Sequence, residues 1–362
     1  MAEIIAAVMA VFAVIGALDK ILGNRLNLGD EFEKGIMTLG PLSLSMLGMM
    51  TIAPALAGFL IPIITPVAEF IGFDPSAVAG ILIANDMGGA SLADSVASDS
   101  LLGSFHGLCV SAMLGATVSF TIPFALNSAK KEHRNDVLLG LLCGIVTIPI
   151  GCFVSGIIMG IAPKTLLVNL SPALLISAVI VTGLLKFPVI TVRIFSVFGK
   201  FISALITCGL ALGIFQTLTG KTVLKNTAPL SESALTVFTI CITLAGTFPL
   251  IAIVSRIFKK PLLALGKKTG LDETAVIGLV STLANSIATF EMSDKMNRKG
   301  RIMNYAFAVS AAFVFGDHLA FTLSYNPQYI VPVIAGKLAA GVTALAVSAI
   351  FGKKQESYGI IT

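Results

Sequence analysis

A carboxylate stands inside an apolar run at Asp86, flanked by Asn85 and by Gly88 and Gly89 in PSAVAGILIANDMGGASLADSVAS, residues 75 to 98. A carboxylate beside an amide and glycine-exposed backbone is chemistry for holding a small polar solute. The carboxylate pairs with an ammonium group, while the amide and free backbone groups bond a hydroxyl. Asn285 and Ser286 occupy the corresponding place in ETAVIGLVSTLANSIATF, residues 273 to 290. Asp317 and His318 fall in the middle of AAFVFGDHLAF, and Lys337 lies in the next apolar run. Ionisable groups in such runs are expensive to bury and mark functional positions by default. An ion pair between Asp317 and Lys337 is the competing structural reading for both. Asp86 is the stronger candidate for a ligand, with Asn85 and Asn285 bonding a hydroxyl and Asp317 contributing field or coupling.

Other candidates carry a weaker signal. Thr147 and Thr343 sit at matching places in an internal repeat and are counted among the substrate-binding candidates, although threonines in helices more often bond back to their own carbonyls. Asp94, Glu291 and Asp294 read as solvated residues at the mouths of the two interrupted segments, and His106 as hydrogen-bonded within the protein. Phe120, Phe290, Phe313 and Phe321 offer an aromatic wall for a cation, or else ordinary core and lipid contacts. The five cysteines (Cys109, Cys143, Cys152, Cys208 and Cys241) lie singly in apolar runs without CxxC spacing and read as small hydrophobes. No HExxH zinc helix is present, and the sequence calls for no metal, no cofactor and no catalytic residue.

The elements that must position these residues are membrane helices. Hydrophobic residues make up 56% of the 362 and charged residues 12%, which excludes a soluble domain. A crossing needs roughly 20 apolar residues. Nine runs qualify, at about 3 to 22, 36 to 60, 102 to 128, 137 to 163, 165 to 186, 201 to 219, 233 to 257, 303 to 326 and 329 to 351. The segments at 75 to 98 and 273 to 290 are interrupted after about ten apolar positions and read as re-entrant hairpins. Their polar breaks must line an internal site, because non-helical backbone at membrane depth is tolerated only against protein or water. With that count, 20 of the 24 Lys and Arg fall on one side, three (Lys164, Lys221 and Lys225) on the other, and Lys337 within a span. The positive-inside rule then places the C-terminus in the cytoplasm and the N-terminus outside. The net charge of +5 belongs to these loops and implies no nucleic-acid partner.

A repeat underlies the runs. GFDPSAVAG at 72 to 80 returns as GLDETAVIG at 270 to 278, a shift of 198, with Asp74 and Asp272 placed to cap each hairpin's first helix. Ala84-Asn85 corresponds to Ala284-Asn285, Asp94 to Asp294, and VSA at 110 to 112 to VSA at 309 to 311. The expected fold is therefore all-α: a polytopic membrane protein of about nine transmembrane helices plus two re-entrant hairpins, arranged as inverted structural repeats (4+1+4). Residues 1–163 form the first repeat and 201–352 the second. Residues 164–200 supply a linking helix and an amphipathic loop, and 353–362 a cytoplasmic tail.

The runs IANDMGG (83 to 89), GIVTIPIGC (144 to 152), STLANSIATF (281 to 290) and NYAFAVSAAFVFGDHLAF (304 to 321) resemble those of the EutH family, the ethanolamine permeases of bacterial ethanolamine-utilisation operons. The similarity covers nearly the whole chain, with 186 to 232 less distinctive. It implies facilitated uptake of ethanolamine across the cytoplasmic membrane, feeding a cytosolic ammonia lyase, and it names no binding residues. Ethanolamine is mostly a cation at neutral pH and only its neutral minority leaks through lipid, so a protein path matters most at low pH and low substrate. A facilitator is the first expectation; a proton- or sodium-coupled symporter of another small amine or nucleoside-like solute is the alternative. Membrane lipid is the surrounding partner, and the Gly-, Ala- and Ser-rich spans permit a homo-oligomer without specifying one.

Overall fold

The structure is a computed structural model that describes residues 2–355; the expected tail at 353–362 lies outside the described residues beyond Gln355. The secondary structure of the described residues is helical, with no strand among them. Lipid offers no hydrogen-bond partners, so each crossing satisfies its backbone within one helix. Eight helical runs among the described residues are long and apolar enough to cross a membrane: 3–21, 29–71, 100–126, 131–158, 163–186, 188–219, 230–258 and 327–350.

In chain order, α1 (Ala2–Ile21), α2 (Gly29–Met37) and α3 (Leu39–Ile71) lead to the first hairpin, formed by α4 (Ser76–Leu82), a π-helical turn at Asn85–Gly89 and α5 (Ala90–Val96). Then α6 (Ser100–Ser104) continues through π-helical turns at Phe105–Gly115 and Thr117–Thr121 into α7 (Ile122–Ser128). Next come α8 (Arg134–Ile145), α9 (Ile148–Ile158), α10 (Pro163–Lys186), α11 (Pro188–Thr219) and α12 (Leu230–Thr269). The second hairpin is α13 (Glu273–Ala284) and α14 (Ser286–Met292). The chain closes with α15 (Arg298–Ala311), α16 (Asp317–Tyr325) and α17 (Ile330–Gln355).

Two expectations are corrected. The run at 303 to 326 is not one helix: it unwinds over 312–316, between α15 and α16. Residues 188–200, expected as an amphipathic loop, are the first half of α11, because Pro188 starts a helix at its first turn and the apolar sequence continues without a break.

Both hairpins close on themselves through the same clasp. Asp74 accepts the Ser76 amide at 2.9 Å with one oxygen and the Ser98 and Asp99 amides at 3.0 and 3.1 Å with the other. Asp272 accepts the Ala275 amide at 2.8 Å and the Asn297 amide with its second oxygen. Each aspartate therefore starts the descending helix and holds the returning chain beside it. Asp99 and Asn297, again 198 apart, cap the helices that follow.

Small residues let the helices approach. A Cβ on Gly48 of α3 would lie 1.7 Å from the Ile206 carbonyl oxygen of α11, so only glycine permits that crossing. Large apolar side chains such as Phe59, Phe70 and Leu218 stand outward, as a lipid-facing surface requires. One end of the bundle gathers ion pairs: Lys20 with Asp30 at 3.1 Å, Lys130 with Asp294 at 3.1 Å, and Arg298 and Arg301 with Asp136 at 3.0 and 2.7 Å.

Candidate functional site

Three interruptions of helical backbone meet. In the first hairpin Ile83 and Ala84 are extended, and the turn that follows carries Asn85 and Asp86. Gly88 there has φ +100°, and a Cβ on it would lie 1.9 Å from Met49 Cγ, so the turn demands glycine twice over. The wide π-helical segment beside it holds the extended backbone: the Ser111 hydroxyl donates to the Ile83 carbonyl, and Ser119 Oγ accepts the Ala84 amide at 3.3 Å. π-Helical turns recur at functional positions because they free groups that an α-helix would bond internally.

The second hairpin is pinned by Thr289, whose hydroxyl donates to Gly278 O at 2.9 Å and accepts from Thr282 Oγ1 at 2.9 Å. The unwound 312–316 segment runs along its tip. Phe313 N donates to Thr282 O at 3.1 Å and Phe315 N to Leu283 O at 2.8 Å. Gly316 packs so closely that a Cβ would lie 2.1 Å from Ala284 O, while Phe313 takes φ +60°, a left-handed conformation rare for a bulky residue. The break in the helix is thus satisfied by carbonyls the second hairpin leaves free at its own break.

This arrangement assembles most of the expected site. His318, 3% exposed, places Nε2 3.8 Å from Asp86 Oδ1. Asp317 opens α16 within electrostatic reach of Asp86, as does Lys337 from α17. No ion pair joins Asp317 to Lys337; the lysine Nζ donates instead to Ala112 O at 2.6 Å. Of the eight buried polar atoms without partners among the described residues, four belong to these residues: both amide atoms of Asn85, the Ser286 hydroxyl and His318 Nδ1. Such atoms are rare in a native interior and point to a ligand or water. Asn285 is half-occupied, its oxygen accepting the Ile287 amide at 2.8 Å as the cap of α14.

The remaining candidates are held by other partners or flank the site. Thr147 donates to Gly144 O at 2.8 Å and across to Ala340 O of α17 at 3.1 Å, whereas Thr343 bonds back within its own helix, to Ala339 O and Ala340 O at 2.8 and 2.9 Å. His106 lies between Ser76 Oγ at 2.7 Å and Asn169 O at 3.3 Å. Phe120 meets Phe313 edge-on at 5.9 Å and Phe313 meets His318 at 5.5 Å, an aromatic flank to the site that continues through Phe124 to Phe290; Phe321 stacks instead on Tyr325. The cysteines are free thiols, buried except Cys208. Glu291 is exposed, Asp294 pairs with Lys130, and Asp94 accepts a hydrogen bond from Tyr325 Oη at 2.6 Å.

Two contributors had no sequence signal beyond their place in the repeat. Ser310 is buried and unpartnered just before the unwound segment, whereas its counterpart Ser111 bonds Ile83. Tyr325 joins the end of α16 to the first hairpin across 231 residues.

The chemistry follows from formal charge. Counted by formal charge alone, Asp86 and Asp317 would set two negative charges against one on Lys337, leaving one unopposed. The helix starts that would attract an anion already hold these carboxylates in their first turns. A small monovalent cation bearing a hydroxyl matches the balance and the unpartnered groups. Among the described residues no cluster of His, Cys, Asp and Glu is placed to hold a metal ion.

The sequence matches the family described as "Ethanolamine utilisation protein, EutH" over residues 1–351. It is 46% identical to a probable ethanolamine permease EutH of Listeria monocytogenes over 95% of this chain and 92% of that protein. It is 36% identical to a probable ethanolamine permease EutH of Escherichia coli over 98% and 96%. No solved structure matches. A family match over residues 1–351, relatives named as permeases rather than enzymes, and a polytopic helical fold agree: this chain belongs to the EutH family.

Proposed function

We propose that this chain carries ethanolamine across the cytoplasmic membrane as its protonated form, with Asp86 pairing the ammonium and Asn85, Asn285 and Ser286 bonding the hydroxyl. The observation that carries the reading is the unopposed carboxylate charge set beside unpartnered amide and hydroxyl groups at a hairpin break. The permease names of the relatives supply the substrate. Its importance should be greatest at low pH, where neutral ethanolamine and its leak through lipid are scarce.

The matching aspartate clasps and breaks support a two-fold arrangement of inverted halves, the first hairpin entering from outside and the second from the cytoplasm, as in transporters that hold substrate at the midplane. The segregation of basic residues supports an outside N-terminus. The first reading of this transport is passive and saturable.

The test is uptake of labelled ethanolamine into proteoliposomes at pH 5 to 6, with and without imposed proton or sodium gradients. Saturable uptake that stops at equal concentration supports a facilitator, and no uptake above empty liposomes refutes the reading. Asp317 gives one reason to keep a proton-coupled symporter as the second reading: its side chain makes no hydrogen bond or ion pair among the described residues, and it stands near Asp86. Gradient-driven accumulation lost in Asp317→Asn would select it.

A further inference from the structure

A cavity of about 360 Å³ opens at the end of the bundle away from the clustered Lys and Arg ion pairs. The return arm of the first hairpin, α5, forms one wall, so the helix that carries Asp94 at the cavity begins at the turn that carries Asp86. The start of α12 supplies Glu232 and Ser233, and the end of α16 supplies Tyr325. Two carboxylates line the space and no basic side chain does; Lys221 faces a neighbouring hollow.

Both carboxylates are exposed, and three further details bear on what they face. Ser233 is 2% exposed and lines the cavity, and its hydroxyl makes no hydrogen bond among the described residues. Asp94 is oriented by Tyr325 Oη at 2.6 Å on one oxygen. The volume equals about a dozen waters at roughly 30 Å³ each, enough for a small organic cation that keeps part of its hydration.

We propose that this cavity is an outer capture site for ethanolamine, in which Glu232 and Asp94 attract the ammonium and Ser233 bonds the hydroxyl before the substrate passes the first hairpin to Asp86. The proposal rests on the transport reading above and adds a second site to it. A mouth lined by one sign of charge raises the local concentration of the opposite ion and the rate of encounter, so the site acts mainly at low substrate. The Tyr325–Asp94 contact ties the floor of this site to α16, whose other end carries Asp317 and His318. Occupancy of the mouth and the conformation of the inner site thereby share an element.

The experiment is thiol labelling of Ser233→Cys in a Cys208→Ser background, with full-length protein in proteoliposomes and Ser95→Cys as a second position on the same rim. A cationic methanethiosulfonate should react several-fold faster than an anionic one, and adding Glu232→Gln should reduce that ratio about fivefold. Ethanolamine should slow the reaction, and ethylene glycol, neutral and of similar size, should not. Equal rates for the two reagents at both positions, or no protection by ethanolamine, would overturn the proposal. Labelling needs no transport, so it stands even if Asp86→Asn shows the inner assignment to be wrong. In uptake, Glu232→Gln should raise the half-saturating concentration about fivefold with the maximal rate within about twofold. An unchanged half-saturating concentration would overturn the capture role.

Discussion

Replacing Asp86 with asparagine tests the charge argument at its centre. The change keeps an acceptor oxygen and the size of the side chain while taking the formal balance of Asp86, Asp317 and Lys337 from one unopposed negative charge to none. His318 Nε2 stands 3.8 Å from the Asp86 carboxylate, and an ammonium paired with that carboxylate is taken at the same range. At about 4 Å and an effective dielectric near 20, the attraction lost is about 4 kcal/mol before desolvation of the ligand is counted. Against that, asparagine retains a neutral hydrogen bond, and the ammonium no longer has to desolvate a carboxylate. A charge-assisted hydrogen bond is worth about 1.5 to 3 kcal/mol net, so the half-saturating concentration for ethanolamine should rise about 10- to 150-fold. Initial rates of labelled ethanolamine uptake into proteoliposomes at pH 5, competed with ethylene glycol and with choline, measure this directly. Asp86→Asn should also lose its preference for ethanolamine over the neutral diol. A half-saturating concentration within about twofold of the unaltered protein, in a variant that folds, would refute the ammonium assignment.

Lys337→Met makes the opposite change, leaving two carboxylates unopposed; ethanolamine should bind more tightly and leave more slowly, seen as a lower half-saturating concentration with a lower maximal rate. Asp136→Ala strips Arg301, 5% exposed, of its carboxylate and should destabilise the protein by about 3 to 5 kcal/mol, read as a lowered midpoint of thermal unfolding in detergent. Asp272→Ala opens the clasp of the second hairpin and should cost about 1 to 3 kcal/mol, and Asp74→Ala should behave alike if the clasps are equivalent; hydrogen exchange at Asn297 and Asp99 would report each separately. Gly48→Leu should abolish folding, because the Ile206 backbone leaves no room for any Cβ; a folded, active variant would disprove the close crossing of α3 and α11.

The composition and the spacing of apolar runs decided the architecture, since a chain this apolar has only self-bonded helices available to it in lipid. Polarity at Asn85, Asp86, Asn285 and Ser286 marked the breaks because such groups cannot face hydrocarbon, and the repeat at a shift of 198 marked the two clasps through Asp74 and Asp272. The permitted partners of each group were a different matter. AAFVFG reads as an uninterrupted membrane helix, and only the free carbonyls of Thr282 and Leu283, supplied by a hairpin some thirty residues earlier in the chain, make its unwinding affordable. Lys337 had Asp317 as its apparent partner in the sequence, yet the fold turns its ammonium toward Ala112 O, within reach of Asp86. Thr147 and Thr343 matched each other in the repeat, yet Thr147 reaches across to α17 while Thr343 bonds back within α17, a difference no local pattern separates from ligand contact. The sequence by itself determined which residues must leave the lipid and where helices must break; the tertiary structure decided which polar groups found partners and which were left over, because satisfaction of a buried group depends on atoms distant in the chain.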